Sequence, residues 1–426
     1  MTAVSPSVTA SGLPVPQRVA VVGAGMVGLA TAWFLQERGV EVVVLDREGV
    51  AAGSSWGNAG WLTPGIATPL PEPAVLKYGL RAVLSPSSPV YVPPSADPNF
   101  LKFVTGFTRH STMRAWKKAM GSLVPVNDLS LESFDLLRAG GVQAETREAQ
   151  SFLASFRTEE ARRTLLEEIE HIHAAGQDIE FEALDGDQAR TIEPSLSDQI
   201  GAAILLKGQR FVNPGEFVHA LADSVRARGG KVVDGATVTG VRDTGRAVVV
   251  STREGSTEEF DEVVLATGAW LGQLARQFGV RKVVQAGRGY SFSVEVDHVP
   301  TGPVYFPAER VACTPIGNRL RVAGMMEFRK PEAALDQRRI KAIAEAARPL
   351  LRGADLDNRQ DEWVGSRPCT ADGLPLIGAT ASPRVFAAGG HGMWGITLGP
   401  VTGRLLAETM VTGKQVEQLR PFSPLR

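Results

Sequence analysis

The sequence predicts a chain of α/β plus α+β class, folded as two interleaved domains. Three observations carry that expectation. A complete strand–helix–strand unit opens the ordered chain, from Arg18 to Asp46, within about 30 residues. Segments of similar character return around residues 212 to 270 and again at 384 to 411. The stretches between them read differently. Helical patterning dominates from about Asn99 to Ala175, and a strand-rich block runs from Val283 to about Glu327. The expected boundaries are 18–61, 125–180, 212–275 and 380–412 for the first domain. Residues 62–124, 181–211 and 276–379 form the second, with tails at 1–17 and 413–426.

Each element has a local reason. Val19-Ala20-Val21-Val22 is an apolar run of strand length, suited to a parallel strand buried on both faces. Gly23-Ala24-Gly25-Met26-Val27-Gly28 follows at once, and Leu29 to Arg38 reads as a helix stopped by Gly39. Glu41 to Leu45 is the second buried strand, and it ends in Asp46. Prolines recur from Leu62 to about Pro98, which suggests an excursion serving as a lid or a second-domain segment. A helix is expected from Gly215 to about Arg228, then the strand Lys231-Val232-Val233. Thr237 to Arg242, Ala247 to Ser251 and Glu262 to Ala266 read as an antiparallel meander. A helix is expected from Glu332 to about Leu351. The last unit is the strand Arg384 to Ala388, a glycine loop, and a helix from Ile396 to about Val411.

Composition narrows the function. Of 426 residues, 43% are hydrophobic and 21% charged, so the chain is globular and has material for a core. Net charge is -1, which gives no electrostatic footprint for nucleic acid. Cys313 and Cys369 are the sole cysteines, so neither a disulfide scaffold nor a cysteine metal site is expected, and no metal is assigned. No apolar run approaches the ~18 residues of a membrane span, and the first 17 residues lack the pattern of a signal peptide. The expected location is cytoplasmic. The basic residues Lys102, Arg109, Arg114, Lys117 and Lys118 keep open a peripheral contact with the inner membrane face.

Two G-x-G-x-x-G patterns occur, Gly23-Gly25-Gly28 and Gly390-Gly392-Gly395. Both follow a strand and precede a helix, so both can aim free helix N–H groups at an anion. Only the first leads to a second strand ending in an acid. Asp46 lies 18 residues after Gly28, near the ~20 that places a carboxylate on an adenosine ribose. Gly53 to Gly60 adds the hydroxyls of Ser54 and Ser55 and several small residues, suited to a pyrophosphate and a flat ring. Ala266-Thr267-Gly268-Ala269 closes the meander. A site extending this far beyond the first unit favours a large, permanently held cofactor, FAD over NAD.

These residues carry a family resemblance. The chain resembles the D-amino-acid oxidase and glycine oxidase superfamily, and looks most like its bacterial D-amino acid dehydrogenases. The matching blocks are Val21 to Asp46, Ser55 to Gly60 with Asn58-Ala59-Gly60, Arg367-Pro368-Cys369-Thr370-Ala371-Asp372-Gly373-Leu374-Pro375-Leu376-Ile377-Gly378, and Gly390-His391-Gly392-Met393-Trp394-Gly395-Ile396-Thr397-Leu398. The resemblance spans residues 18 to 412. It implies a Rossmann-like FAD-binding domain interleaved with a mixed-sheet substrate domain. Non-covalent FAD would lie along Gly23, Gly25, Met26, Val27, Gly28, Asp46 and Arg47, then Ser54, Ser55, Asn58, Ala59 and Gly60. Val238, Thr267, Gly268 and Trp270 would add contacts, and Gly392, Met393, Trp394, Gly395, Ile396 and Thr397 would line the flavin.

The resemblance also implies a substrate site. Arg367 would pair with the substrate carboxylate, because a planar guanidinium clamps it through two parallel hydrogen bonds. Met393 would offer its backbone carbonyl to the substrate amine. Glycine oxidases carry a second arginine where Met393 stands and a tyrosine near Ala312, so a larger, apolar side chain is expected here. Tyr305 and Tyr290 are candidate replacement contacts, and His391 a candidate base or loop-shaping residue. Sarcosine-oxidase-like relatives attach flavin through a cysteine near Cys369; the residues around it here follow the non-covalent pattern. The expected reaction moves the α-hydrogen of a D-amino acid as hydride to flavin N5. The imino acid then hydrolyses to a 2-oxo acid and ammonia, and a quinone or oxygen takes the electrons. The alternatives are oxidation of a cyclic or N-methyl amino acid, a flavin electron-transfer subunit without catalysis, and an NAD-dependent dehydrogenase.

Overall fold

The computed structural model describes residues 9–10, 12–73, 90–93 and 95–426. The leading tail and the proline-rich stretch from Leu62 to Pro98 lie partly outside the described residues. The apolar runs do centre a sheet. Arg18–Val22 lies between Glu41–Leu45 and Glu262–Leu265, parallel to both. Lys231–Val233 extends one side, Val385–Gly389 the other, and Leu376–Ala379 closes the edge antiparallel.

The pleat sorts the valines. Val19, Val21, Val42 and Val44 face helices Met26–Gln36, Pro214–Ala227 and Gly395–Thr412. Ala20, Val22, Val43 and Leu45 face a three-stranded meander, in which Val241, Val248, Val250 and Phe260 are buried. Gly28 is required for the approach of helix to turn: a Cβ there would stand 1.9 Å from the Gly23 carbonyl oxygen.

The second domain rests on a nine-stranded mixed sheet. Gln360–Thr370, Val284–Glu295, Arg319–Phe328, Val311–Ile316 and Val304–Phe306 pair antiparallel in that order. Phe152–Phe156 then joins Val304–Phe306 in parallel, followed by Ala202–Leu206 and Phe181–Asp185. Helix Gln337–Ala347 buries Ile340, Ile343 and Ala347 against Phe292, Val322 and their neighbours. A small sheet of Trp61–Leu62, Arg210–Phe211 and Arg147–Glu148 gathers segments where the chain crosses between domains.

Several expectations are corrected. The third meander strand is Thr257–Phe260, whereas Glu262–Leu265 is a central strand of the parallel sheet. Thr257-Glu258-Glu259 is exposed and polar, so no hydrophobic run marks it; Val263-Val264-Leu265 is buried on both faces. The helical reading of 99–175 overlooked Phe152–Phe156, a fully buried five-residue run without period, which places part of 125–180 in the second domain's sheet. Leu376–Ala379 likewise belongs to the first domain's sheet. The helix expected from Glu332 starts at Gln337, where the Asp336 side chain accepts a hydrogen bond from Arg338 N. Residues 413–426 are no loose tail: Leu419 and Phe422 are buried, and Arg426 pairs with Asp372.

Candidate active site

A cavity of about 680 Å³ opens beyond the ends of the first domain's parallel strands and reaches strand Gln360–Thr370 of the second. At one end it is lined by Asp46, Arg47 and Val238, along its length by Gly23, Gly25, Met26, Val27, Ser54, Ser55 and Asn58. Thr267, Gly268 and Trp270 line another wall, and Arg367, His391, Gly392, Met393, Gly395 and Ile396 the far end.

The turn after the first strand leaves helix Met26–Gln36 with no side-chain cap, so its N-terminus opens on the cavity. Met26 N donates to the Ser55 hydroxyl at 3.3 Å, which ties the serine segment to the helix start. Helix Gly395–Thr412 also begins at the cavity wall without a side-chain cap. Two helix N-termini therefore present positive potential to one long pocket. The buried Thr267 hydroxyl has no hydrogen-bond partner among the described residues. An orphaned donor in the wall, two helix starts and a long cavity fit an elongated, anionic cofactor such as FAD.

Asp46 is more occupied than expected. Its Oδ2 accepts from Ala24 N at 2.8 Å, and its Oδ1 from Glu48 N and Gly49 N at 2.9 Å. The carboxylate braces the loop around itself and keeps about one lone-pair position for a ribose hydroxyl. Arg47 stacks on Trp270 at 3.9 Å, and Trp270 Nε1 donates to Glu332 Oε1 at 2.5 Å. Glu332 comes from the second domain and lines the cavity, and Arg253 and Gln273 of the first domain line it too. No local motif marks these three, because each is brought in from far along the chain by tertiary packing.

Arg367 sits on strand Gln360–Thr370 and reaches the cavity. Its Nη1 donates to the Met325 carbonyl at 2.6 Å. Among the described residues it has no carboxylate partner. Burial pulls its pKa down. An arginine remains charged at any working pH, so the pocket holds an uncompensated cation beside Met393.

Other expected residues stand elsewhere. Tyr290 is buried under the sheet and donates to Glu327 Oε2 at 2.6 Å, away from the cavity. Tyr305 packs edge-to-face on Trp61, with centroids 5.3 Å apart, and does not line the cavity. The register of each strand decides this: both rings fall on faces turned from the pocket. His391 lines the wall, but its Nε2 lies 2.9 Å from the Thr402 hydroxyl, and burial pushes its pKa down to about 4. It is a neutral loop-shaping residue. Trp394 Nε1 donates to Thr68 O and Thr397 Oγ1 to Trp61 O, so both fasten the glycine loop to the chain around Trp61 and Thr68. Gly28, Ala59 and Gly60 also stay out of the cavity wall; Gly60 has φ +78° and Val212 N donates to its carbonyl. Cys369 is buried against Gly287, and burial pushes its thiol up to about 12.

A dinucleotide cradle facing a second domain that presents a lone guanidinium defines a two-domain flavin oxidoreductase. The chain belongs to the FAD-dependent oxidoreductase family (DAO), whose model matches residues 18–409. It is 32% identical over 412 residues to a D-amino acid dehydrogenase of Cereibacter sphaeroides, covering 94% of this chain and 93% of that one. A D-amino acid dehydrogenase of Rhizorhabdus wittichii is 29% identical over 406 residues, covering 93% and 97%. Among solved structures, glycine oxidase from Bacillus cereus aligns with a TM-score of 0.71 at 22% identity, over 96% of this chain and 99% of that one. L-proline dehydrogenase from P. horikoshii aligns with a TM-score of 0.70 at 17% identity, over 97% and 98%. These structural likenesses speak for the fold. The protein is an FAD-dependent oxidoreductase, and among the described residues no helix is long and apolar enough to cross a membrane.

Proposed function

We propose that this enzyme oxidises D-amino acids. The observation that carries the reading is the Arg367 guanidinium, held in the cavity without a carboxylate partner among the described residues, beside the glycine loop Gly392–Trp394. Such a cation in a largely dry pocket selects a ligand carboxylate. Arg367 clamps that carboxylate through two parallel hydrogen bonds, and the Met393 carbonyl accepts from the substrate amine. With both ends held, the α-carbon faces the middle of the site. FAD, when bound, supplies the two-electron acceptor for the α-hydrogen. No protein base is needed once the amine is neutral, which agrees with His391 being turned to Thr402. The imino acid product hydrolyses to a 2-oxo acid and ammonia, and a quinone or oxygen reoxidises the enzyme. Met326 and Met393 pack with Phe103 and Phe328 in one apolar cluster near Arg367, which favours apolar substrate side chains. The relatives' name supports the D configuration.

The test is anaerobic mixing of the flavin-loaded enzyme with a panel of D- and L-amino acids, followed by flavin absorbance. Bleaching by apolar D-amino acids is expected. Bleaching by proline derivatives or N-methyl amino acids instead would move the assignment to that class. No bleaching by any of them would support a non-catalytic flavin carrier.

A further inference from the structure

Arg367 is aimed by a piece of backbone with an unusual shape. Strand Arg319–Phe328 pairs with Val284–Glu295, but the register slips: Arg288 faces Glu327 and Tyr290 faces Gly324. Gly289 therefore stands opposite both Met325 and Met326, a β-bulge. Met325 takes φ +66°, a left-handed conformation that a side-chain-bearing residue rarely adopts. The Met325 carbonyl receives Arg367 Nη1 at 2.6 Å.

The neighbouring strand is bare beneath the guanidinium. A Cβ built on Gly289 would lie 2.2 Å from Arg367 Nη2, 2.3 Å from Cζ and 2.5 Å from Nη1. The guanidinium thus lies on the Gly289 backbone, and nothing larger than hydrogen fits there. Nη1 is occupied, while Nε and Nη2 make no hydrogen bond to protein among the described residues. One edge of the fork is anchored and the other is left free.

We infer that Gly289 and the Met325 bulge are positioning residues that fix the plane and rotation of Arg367, so that its Nε–Nη2 edge is the one offered to the substrate carboxylate. The inference rests on the reading of Arg367 as a carboxylate clamp. A bidentate pair needs both donors in one plane with the carboxylate, so a guanidinium free to swing would bind with one donor at a time. In Gly289→Ala the new methyl meets the tip of a flexible side chain. The strand keeps its place and the guanidinium gives way.

The test compares flavin-loaded wild type, Arg367→Ala and Gly289→Ala on a D-amino acid and on its decarboxylated amine. The readout is the ratio of kcat/KM for acid over amine, together with KM and kcat separately. A displacement of about 1 Å should lower kcat/KM for the acid roughly 100-fold in Gly289→Ala, mostly through KM, with little change for the amine. FAD retention should stay as in wild type. If Arg367→Ala loses the acid preference and Gly289→Ala keeps it in full, the positioning role is wrong while the clamp stands. If Arg367→Ala keeps the preference, the clamp itself fails. Should Gly289→Ala not fold, Met325→Gly and Met325→Val replace it. Both remove the thioether, but only valine resists φ +66°. The ratio should fall at least about tenfold further with valine than with glycine. Equal losses would show that the Met325 side chain matters and the bulge does not.

Discussion

Truncating Arg367 to alanine should separate activity from stability. In the folded protein the guanidinium makes one close hydrogen bond, 2.6 Å to the Met325 carbonyl, and has no carboxylate partner among the described residues. Burial lowers its pKa, yet an arginine stays charged, so the guanidinium is a cation without a carboxylate partner among the described residues. Removing it loses one hydrogen bond, about 1 kcal/mol, and relieves a desolvation cost of similar order. The melting temperature should therefore change by only a few degrees. Substrate binding behaves differently. A carboxylate entering the alanine variant would lose water and gain no partner, which costs about 2–5 kcal/mol of transition-state stabilisation. That is roughly 30-fold to several thousand-fold in kcat/KM. Arg367→Lys should also be poor, because an ammonium lacks the planar fork. Steady-state turnover with an artificial acceptor, flavin content and a thermal melt together read the outcome. Wild-type kcat/KM in flavin-saturated Arg367→Ala would remove the carboxylate clamp and the amino acid assignment with it.

The remaining predictions concern the cofactor and pH. Asp46→Asn puts an amide NH2 against one of the N–H groups of Ala24, Glu48 or Gly49 that the carboxylate now accepts. FAD affinity should fall by about 1–3 kcal/mol by equilibrium dialysis, with kcat at saturating FAD little altered; unaltered affinity would exclude Asp46 from the cofactor site. Heat or acid should release a yellow supernatant, and Cys369→Ala should keep its flavin, because burial holds that thiol protonated and its pKa near 12; colour retained in the wild-type pellet would indicate a covalent bond. Burial pushes the Glu262 carboxyl up to about 8, and Arg384 only partly offsets this. The folded state then binds the proton more tightly than the unfolded one. Stability from this group falls as pH rises from about 4.5 to about 8. Glu262→Gln should gain about 2–4 kcal/mol over wild type in denaturant melts at pH 9, and much less at pH 4. Parallel pH slopes for the two proteins would refute the buried, protonated carboxyl.

The first domain was legible because its signals are local. Val19–Val22 and Val42–Leu45 are each buried over four consecutive residues, and a glycine turn between strand and helix sits within the same short span. The cradle residues Gly23, Gly25, Asp46 and Ser55 line the cavity from that span alone. The second domain was less legible for two reasons. Phe152–Phe156 carries no period of its own, so neighbouring helices absorbed it into a helical reading. Tyr290 and Tyr305 looked like pocket residues because their strands were expected near the substrate. Which face a strand side chain takes depends on register, and one bulged residue changes it for all that follow. Tyr290 takes the face opposite Gly289 by plain alternation, and the bulge at Met325–Met326 lies in the neighbouring strand; no residue type announces either. Glu332 and Trp270 meet across the domains for a related reason: their 62-residue separation is closed by tertiary packing.

The placement of Arg367 explains why the second domain presents an antiparallel strand, with glycines beneath it, to the cofactor domain. A charged clamp has to be desolvated to discriminate, yet an unpaired cation in a protein interior opposes folding. Here the conflict is resolved by geometry. The guanidinium is held by a single backbone carbonyl and lies on Gly289, and among the described residues no acidic side chain pairs with it. Nearby, the buried Arg288 and Arg339 both pair with the buried Glu327, which also accepts from the Tyr290 hydroxyl. Gly287 and Gly289 meet Met326, Cys369 and Arg367, and Arg288 lies between them in the strand, so its side chain takes the opposite face. The alternation of the strand thus separates a paired charge network centred on Glu327, which packs the sheet against helix Gln337–Ala347, from the Arg367 guanidinium that reaches the cavity. An acid introduced on the Arg367 face would satisfy the cation in the empty enzyme and remove the reason for a substrate carboxylate to bind. On that face the adjacent strand offers Arg367 glycine and the strand beyond it the Met325 carbonyl, so the proposed clamp stays free for a ligand carboxylate.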